Sequence, residues 1–290
     1  VPLPIAAATY KVNFPYTLTA KPGTGQVFDG WTVNDTTGTN ITAAMMELPT
    51  LTFTHREGLT LTAHFKPNPF TSGIIGTFTG LVLPSTVAPA PGGTLASHET
   101  VGWISANVLG TGSFTGTVKI DGLTLPMNGI FDNAGDARFG TTRSKTLSLA
   151  RTTKPALEVS LKLDMTGTTS KLSGTVTQRY RTTITAVSDI DADRAAYLLT
   201  KNAPPSLAGT SSKPYTLVFK HRTSQPGLLA IDYPQGDGCA TGTIKTDGTV
   251  SVSGKLADHT AITISAPLSK VNRWPLFAQL YALKGCFSAW

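Results

Sequence analysis

The chain has 290 residues and a formal net charge of +7; 40% of its residues are apolar and only 14% are charged, where about a quarter is usual. That is enough apolar material for two or three packed domains and too much for wholesale disorder. About one residue in six is threonine, a β-favouring residue, and glycine (28) and proline (19) are abundant, so a helical bundle or coiled coil is excluded.

Strict alternation dominates the pattern from one end to the other. Leu59-Thr60-Leu61-Thr62-Ala63-His64-Phe65 reads as a half-buried strand, and so does Leu157 to Met165, where every second residue is apolar. Val250 to Ser253 and Ile262 to Ser265 repeat the pattern. Asp121-Gly122, Asp132 to Gly135 and Asp247-Gly248 mark short turns between such runs. The spacing predicts antiparallel sandwiches or barrels. One helix is conceivable, Asp189 to Thr200 with Ser188 as N-cap, although the same residues also read as a strand.

Breaks at Lys66-Pro67-Asn68-Pro69 and Asn202-Ala203-Pro204-Pro205 divide the chain into residues 1–69, 70–200 and 201–290. The second and third segments look like diverged copies of one unit. Thr115-Gly116-Thr117-Val118 followed by Leu123 to Ile130 matches Ser253-Gly254-Lys255-Leu256 followed by Ala261 to Leu268. Pro155 to Met165 matches Pro275 to Tyr281, and Leu172-Ser173-Gly174 matches Phe287-Ser288-Ala289. On this alignment the last unit is short of one or two strands, and an open sheet edge needs a cover, from the other copy or from a neighbouring molecule. Val1 to Ala8, with Val1, Leu3 and Ile5, has no evident place in its own module and is the candidate donor segment. A start at Val1 without a signal peptide fits a trimmed or excised product.

Residues Tyr16 to Ala20, Pro22, Gly25 and Phe28-Asp29-Gly30-Trp31, closed by Leu59 to Phe65, resemble the divergent bacterial B-repeat of Gram-positive internalins and many large secreted proteins. The resemblance implies a small β module used as an extracellular spacer or in adhesion, with Trp31 as the buried aromatic of its sheet. Residues 74–290 resemble the duplicated β domain near the C-termini of large exported proteins of Verrucomicrobia and relatives. Gly76 to Leu81, Gly236-Asp237-Gly238, Ser253 to Asp258, Ala266 to Ser269 and Trp274 to Tyr281 with Lys284-Gly285 carry it. This second resemblance implies architecture and no catalytic assignment.

Two cysteines, Cys239 and Cys286, fit an oxidising compartment, and a bridge between them would close a loop of nearly fifty residues, worth roughly 4 kcal/mol. Their joint replacement of aromatic or small residues in the second resemblance suggests that they face each other. A pair of buried free thiols is the other reading.

Chemistry is harder to find. None of the five histidines is spaced as a metal ligand from another. His98-Glu99 and Asp258-His259 are adjacent pairs, whose side chains diverge on a strand. No G-x-S-x-G elbow is present. Asp189, Asp191 and Asp193 lack the glycine and distal glutamate of a calcium loop. No cofactor or metal is expected. The positive charges are spread along strands without interleaved aromatics, so nucleic acid is not the expected partner, and no run of ~18 apolar residues suits a membrane helix. The expected function is that of a non-catalytic, extracellular or cell-surface structural or adhesive protein, a homo-oligomer or fibre formed by strand addition. The alternative is a carbohydrate- or ligand-binding module, with Trp103, Tyr233, Trp274 and Tyr281 as stacking candidates.

Overall fold

The structure, a computed structural model, describes residues 10–86, 98–197, 203–207, 212–221, 229 and 235–290. It is all-β, and every paired strand is antiparallel to its neighbour. Among the described residues no helix is long and apolar enough to cross a membrane.

The first module contains two two-stranded sheets. Strand β1 (Pro15–Thr19) pairs with β3 (Thr50–Thr54), and β2 (Gln26–Val33) with β4 (Leu61–Pro67). They close over Ile41, Leu51 and Phe53, with Tyr16, Leu18 and Trp31 against them. The Phe-Asp-Gly-Trp turn is a bulge in β2: the register slips between Phe28 and Gly30, and Gly30 takes φ +123°, a conformation that favours glycine. This turns Trp31 so that its indole N–H donates to the Leu48 carbonyl at 2.9 Å, a structural anchor. A single helical turn, α1 (Ala43–Met46), is capped by the Thr42 hydroxyl, which accepts from the Met45 N–H.

The second module is one nine-stranded sheet built from β5 (Gly76–Pro84), β6 (Gly102–Val108), β7 (Ser113–Ile120), β8 (Leu123–Phe131), β9 (Ala137–Phe139), β10 (Leu147–Leu149), β11 (Leu157–Leu163), β12 (Lys171–Tyr180) and β13 (Thr183–Arg194). The order is β10-β11-β12-β13-β5-β6-β7-β8-β9. The sheet curls into a nearly closed barrel, and its two ends meet where Asp136 bridges Lys162 and the Gly135 carbonyl accepts from the Leu163 N–H at 2.8 Å. Phe78, Val82, Ile104, Phe114, Val118, Phe131, Leu163 and Leu172 fill it, each 2% exposed or less. Asp121 and Gly122 both take positive φ, so the β7–β8 connection is the mirror-image turn that the Asp-Gly pair foretold.

The conceivable helix at Asp189 is instead the second half of β13. Period-two burial decides it: Ala186, Ser188, Ile190 and Ala192 are buried on one phase, and the strand has a ladder on both flanks, to β12 and to β5. The helix-favouring alanines from 195 onward start one residue after the strand ends.

The third module has β14 (Ser212–Phe219), β15 (Gly238–Lys245), β16 (Thr249–Lys255) and β17 (Ala261–Pro267) in one sheet, and β18 (Leu276–Leu280) with β19 (Gly285–Ala289) in a separate hairpin. Both walls pack on Ala240, Ile244, Val250, Val252, Ile262 and Leu276. β17 lies beside β18.

Cys239 and Cys286 are both free, which corrects the expected bridge. Gly238 and Ala240 are buried, so alternation turns Cys239 outward from the first wall. Phe287 and Ala289 pack against the core, so Cys286 faces away from the hairpin wall. The thiols leave the core from opposite sides and cannot meet. Burial pushes the Cys286 thiol pKa up.

Charges fasten the second and third modules together. Arg273 Nη2 is 2.8 Å from Asp191, its Nε is 3.7 Å from Asp193, and its guanidinium stacks 3.8 Å from the centre of the Trp290 ring. Lys171 joins the same two carboxylates at 2.5 and 2.8 Å. The alternating aspartates of β13 are therefore neither a calcium loop nor a helix cap; they are the acidic side of an inter-module lock.

The β11–β12 connection is held by one carboxylate. Asp164 accepts from the hydroxyls of Thr166 and Thr169 at 2.6 and 2.5 Å and from both their backbone N–H groups at 2.9 Å. These hydrogen bonds hold its pKa well below the usual carboxylate range. A depressed pKa contributes stability that is complete above the unfolded value of about 3.9 and is lost as pH falls through the folded one. Hydrogen-exchange protection of the β11–β12 hairpin is expected to be flat from neutral pH to about pH 5 and to fall below about pH 4, with Asp164→Asn flattening that acid limb. An unchanged limb in the variant would assign the acid sensitivity elsewhere.

Candidate functional site

The two related modules correspond strand by strand, and the site of interest is where the correspondence stops. β5 to β8 match β14 to β17 in order and pairing, and β11–β12 match β18–β19. In the second module β13 lies between β12 and β5 and joins the two halves of the sheet. In the third module no strand among the described residues lies between β19 and β14, and no ladder joins them. Each therefore has one flank without a partner strand.

Burial shows what the gap costs. In the second module the inward residues beside β13 are sealed: Phe78 and Val82 of β5 and Leu172 of β12 are all 0% exposed, and Ile190 of β13 is 3% exposed. In the third module the residues with the same task, Tyr215, Leu217 and Phe219 on β14 and Phe287 and Ala289 on β19, pack on the core yet stay only half-buried. Phe219 and Phe287 meet across the gap, ring centres 4.8 Å apart at 63°. A strand-wide separation permits this, since neighbouring strands lie about 4.8 Å apart and side chains reach across one missing position. Val218, on the outward phase of β14, is 53% exposed. Pro214 sits in the same strand and lacks an N–H, which suits an edge position.

A second candidate is a cleft of about 560 Å³ between the first and second modules. Phe28, Phe70 and Phe131 supply its apolar wall, with Arg138 and Arg143 at its polar side. The modules are tied across it by Asn133 Nδ2–H donating to Asp29 at 2.8 Å and by Asn68 Nδ2–H donating to the Gly110 carbonyl at 2.8 Å. Asp29 pairs with Lys66 at 2.7 Å and Asp132 with Arg138 at 3.0 Å. The Arg143 guanidinium makes no ion pair or hydrogen bond among the described residues. Burial and the like charge of Arg138 lower its pKa while Glu47 opposes them, and it stays charged at neutral pH.

His98, Glu99 and Asp121 form the one group of potential metal ligands among the described residues, their ligand atoms within 4.8 Å of one another. The expected divergence of His98 and Glu99 fails because they lie in a turn rather than on a strand. The carboxylate is already committed: Asp121 takes Arg151 at 2.9 Å and Lys154 at 2.8 Å, with His98 at 3.5 Å. Lys154 also reaches Glu99 at 2.9 Å. A cation would have to compete with two ammonium-type charges, so the cluster reads as a structural ion-pair network.

The expected stacking aromatics do not share a face. Trp103 lies on β6 of the second module with Lys119 Nζ 5.2 Å from its ring centre. Trp274 packs on the core of the third module, its indole N–H buried without a partner. Tyr281 stands in the β18–β19 turn and donates its hydroxyl to Asp258. Tyr233 and the donor residues Val1, Leu3 and Ile5 lie outside the described residues. The cleft arginines were missed because nothing in Thr141-Thr142-Arg143-Ser144 marks a binding residue; the fold alone brings it opposite the first module.

No family model, curated protein or solved structure matches the chain.

Proposed function

We propose that this chain is a non-catalytic, exported structural or adhesive β-protein whose subunits join by strand addition into a fibre or surface layer. The observation that carries this reading is the missing strand of the third module. The same architecture appears twice, once with its central strand and once with two open flanks and half-exposed apolar residues beside them. Such an edge is a liability in a protein meant to stay alone and an attachment point in one meant to assemble. The B-repeat-like first module, the threonine-rich strands and the use of charges as inter-module locks agree with an extracellular scaffold. Sedimentation velocity with negative-stain microscopy tests the reading. Filaments or sheets above a critical concentration are expected, and dispersed monomers at every concentration would overturn it.

The cleft favours a second reading, a ligand-binding module. An apolar aromatic wall beside a guanidinium without a counter-ion suits a small carboxylate or an acidic sugar. On a glycan array acidic oligosaccharides are expected to bind in preference to neutral ones, and Arg143→Ala to weaken that binding at least about tenfold. Equal signals for acidic and neutral sugars, or no change in the variant, would remove this reading.

A further inference from the structure

Resting on the strand-addition reading, we propose that the gap between β14 and β19 takes up residues 1–9 of a second copy of this chain as its missing strand. The second module shows what the gap needs. β13 runs antiparallel to both flanking strands and presents Ile184, Ala186, Ser188, Ile190 and Ala192 on its inward phase, small and medium residues at every second position. Residues 1–9 repeat that pattern: Val1, Leu3, Ile5 and Ala7 share one phase, and small residues follow them. Nine extended residues reach about 30 Å, enough to run the length of eight-residue β14 and five-residue β19.

Proline placement fits the same slot. In a strand flanked on both sides, consecutive residues direct their N–H and C=O groups to opposite neighbours. Pro2 and Pro4 fall on one phase, so the segment loses donors toward one flank only and keeps a full set toward the other. Their rings point away from the core side, where Val1, Leu3 and Ile5 would cover the half-exposed faces of Tyr215, Leu217 and Phe287. The contact is heterologous, with the donor at one place on the subunit and the acceptor at another, so it does not close on itself and propagates as a filament.

The test uses the full chain carrying Leu3→Asp and Ile5→Asp together. These positions lie outside the described core, so folding is expected to be retained and is checked by circular dichroism. The variant is expected to stay monomeric where the parent forms filaments. A synthetic peptide of residues 1–9 is expected to bind the variant one to one, to slow amide exchange in β14 and β19 at least about tenfold, and to shorten parent filaments when added in excess. If the variant assembles like the parent, the donor assignment falls while the strand-addition reading stands. If the parent is monomeric and its β14 and β19 amides exchange freely, both fall. If the parent is monomeric with those amides protected, and the variant loses the protection, the segment fills the gap of its own chain and the second copy is ruled out.

Discussion

Arg151→Ala is expected to lower the stability of the second module by about 3–5 kcal/mol, the range for breaking a buried ion pair from one side. The Arg151 side chain is 2% exposed, and the Asp121 side chain that it meets is 6% exposed. Its Nε and Nη2 also donate to the Pro155 carbonyl at 2.7 and 2.5 Å, and Nη2 to Gln178 at 2.5 Å. Removing it leaves a buried carboxylate with one fewer counter-charge and two acceptors without donors, and neither loss can be made good by water that has no route in. Urea denaturation, or the exchange protection of β7 and β12, measures the effect. Lys154→Ala is the control: that side chain is 35% exposed, and its loss is expected to cost no more than about 1 kcal/mol. Equal costs for the two substitutions would mean that the network is a solvated surface cluster.

Gly80→Ala is expected to cost at least about 4 kcal/mol or to prevent the second module from closing. A Cβ at Gly80 would lie 2.0 Å from the Asp191 carbonyl oxygen and 2.3 Å from the Ala192 Cα, both backbone atoms of β13. No rotamer relieves such an overlap; β5 and β13 must separate. The glycine is required because the sheet coils so tightly here that one strand rides against the backbone of the next. Gly236→Ala, where nothing lies within 4 Å, is the matched control and is expected to fall within about 0.5 kcal/mol of the parent. Exchange protection lost from β5 and β13 alone would show that the module opens along this seam and takes on the gapped form of its partner.

The strands were legible because burial on one side of a sheet writes itself into every second residue. Leu157 to Leu163 and Ala261 to Pro267 lie where alternation placed them, and Asp121-Gly122 forms the turn its composition demands. The duplication was legible for the same reason, since two copies keep the order of strands and turns after individual residues have diverged. β13 was misread because a helix signal in the alanines after it overlapped a strand signal in the aspartates, and only a ladder on both flanks separates the two. The cysteine pairing failed for a readable reason. Cys239 shares its phase with Thr241 and Thr243, the outward phase of β15, whereas Gly238, Ala240 and Gly242 are buried. The cleft was not legible at all: Phe28, Phe70, Phe131 and Arg143 come from segments whose meeting depends on how two modules dock, and no local pattern encodes that.

The position of β13 also decides how the second module would respond to traction. β5 opens the module at Gly76 and β13 ends it at Arg194, and these two strands are neighbours, with Phe78 opposite Arg194. The polypeptide enters and leaves at one corner. A pull transmitted through the linkers would bear on that corner first and peel β5 from β13 rung by rung, so that the rungs resist singly rather than together. Arg194 donates to the carbonyls of Ser72 and Ile75 at 2.8 and 3.5 Å, at the point where peeling would begin. Tensile strength in a material made from this subunit would therefore have to reside in the seams between molecules, where a strand loaded along its length shares the force among all its rungs at once.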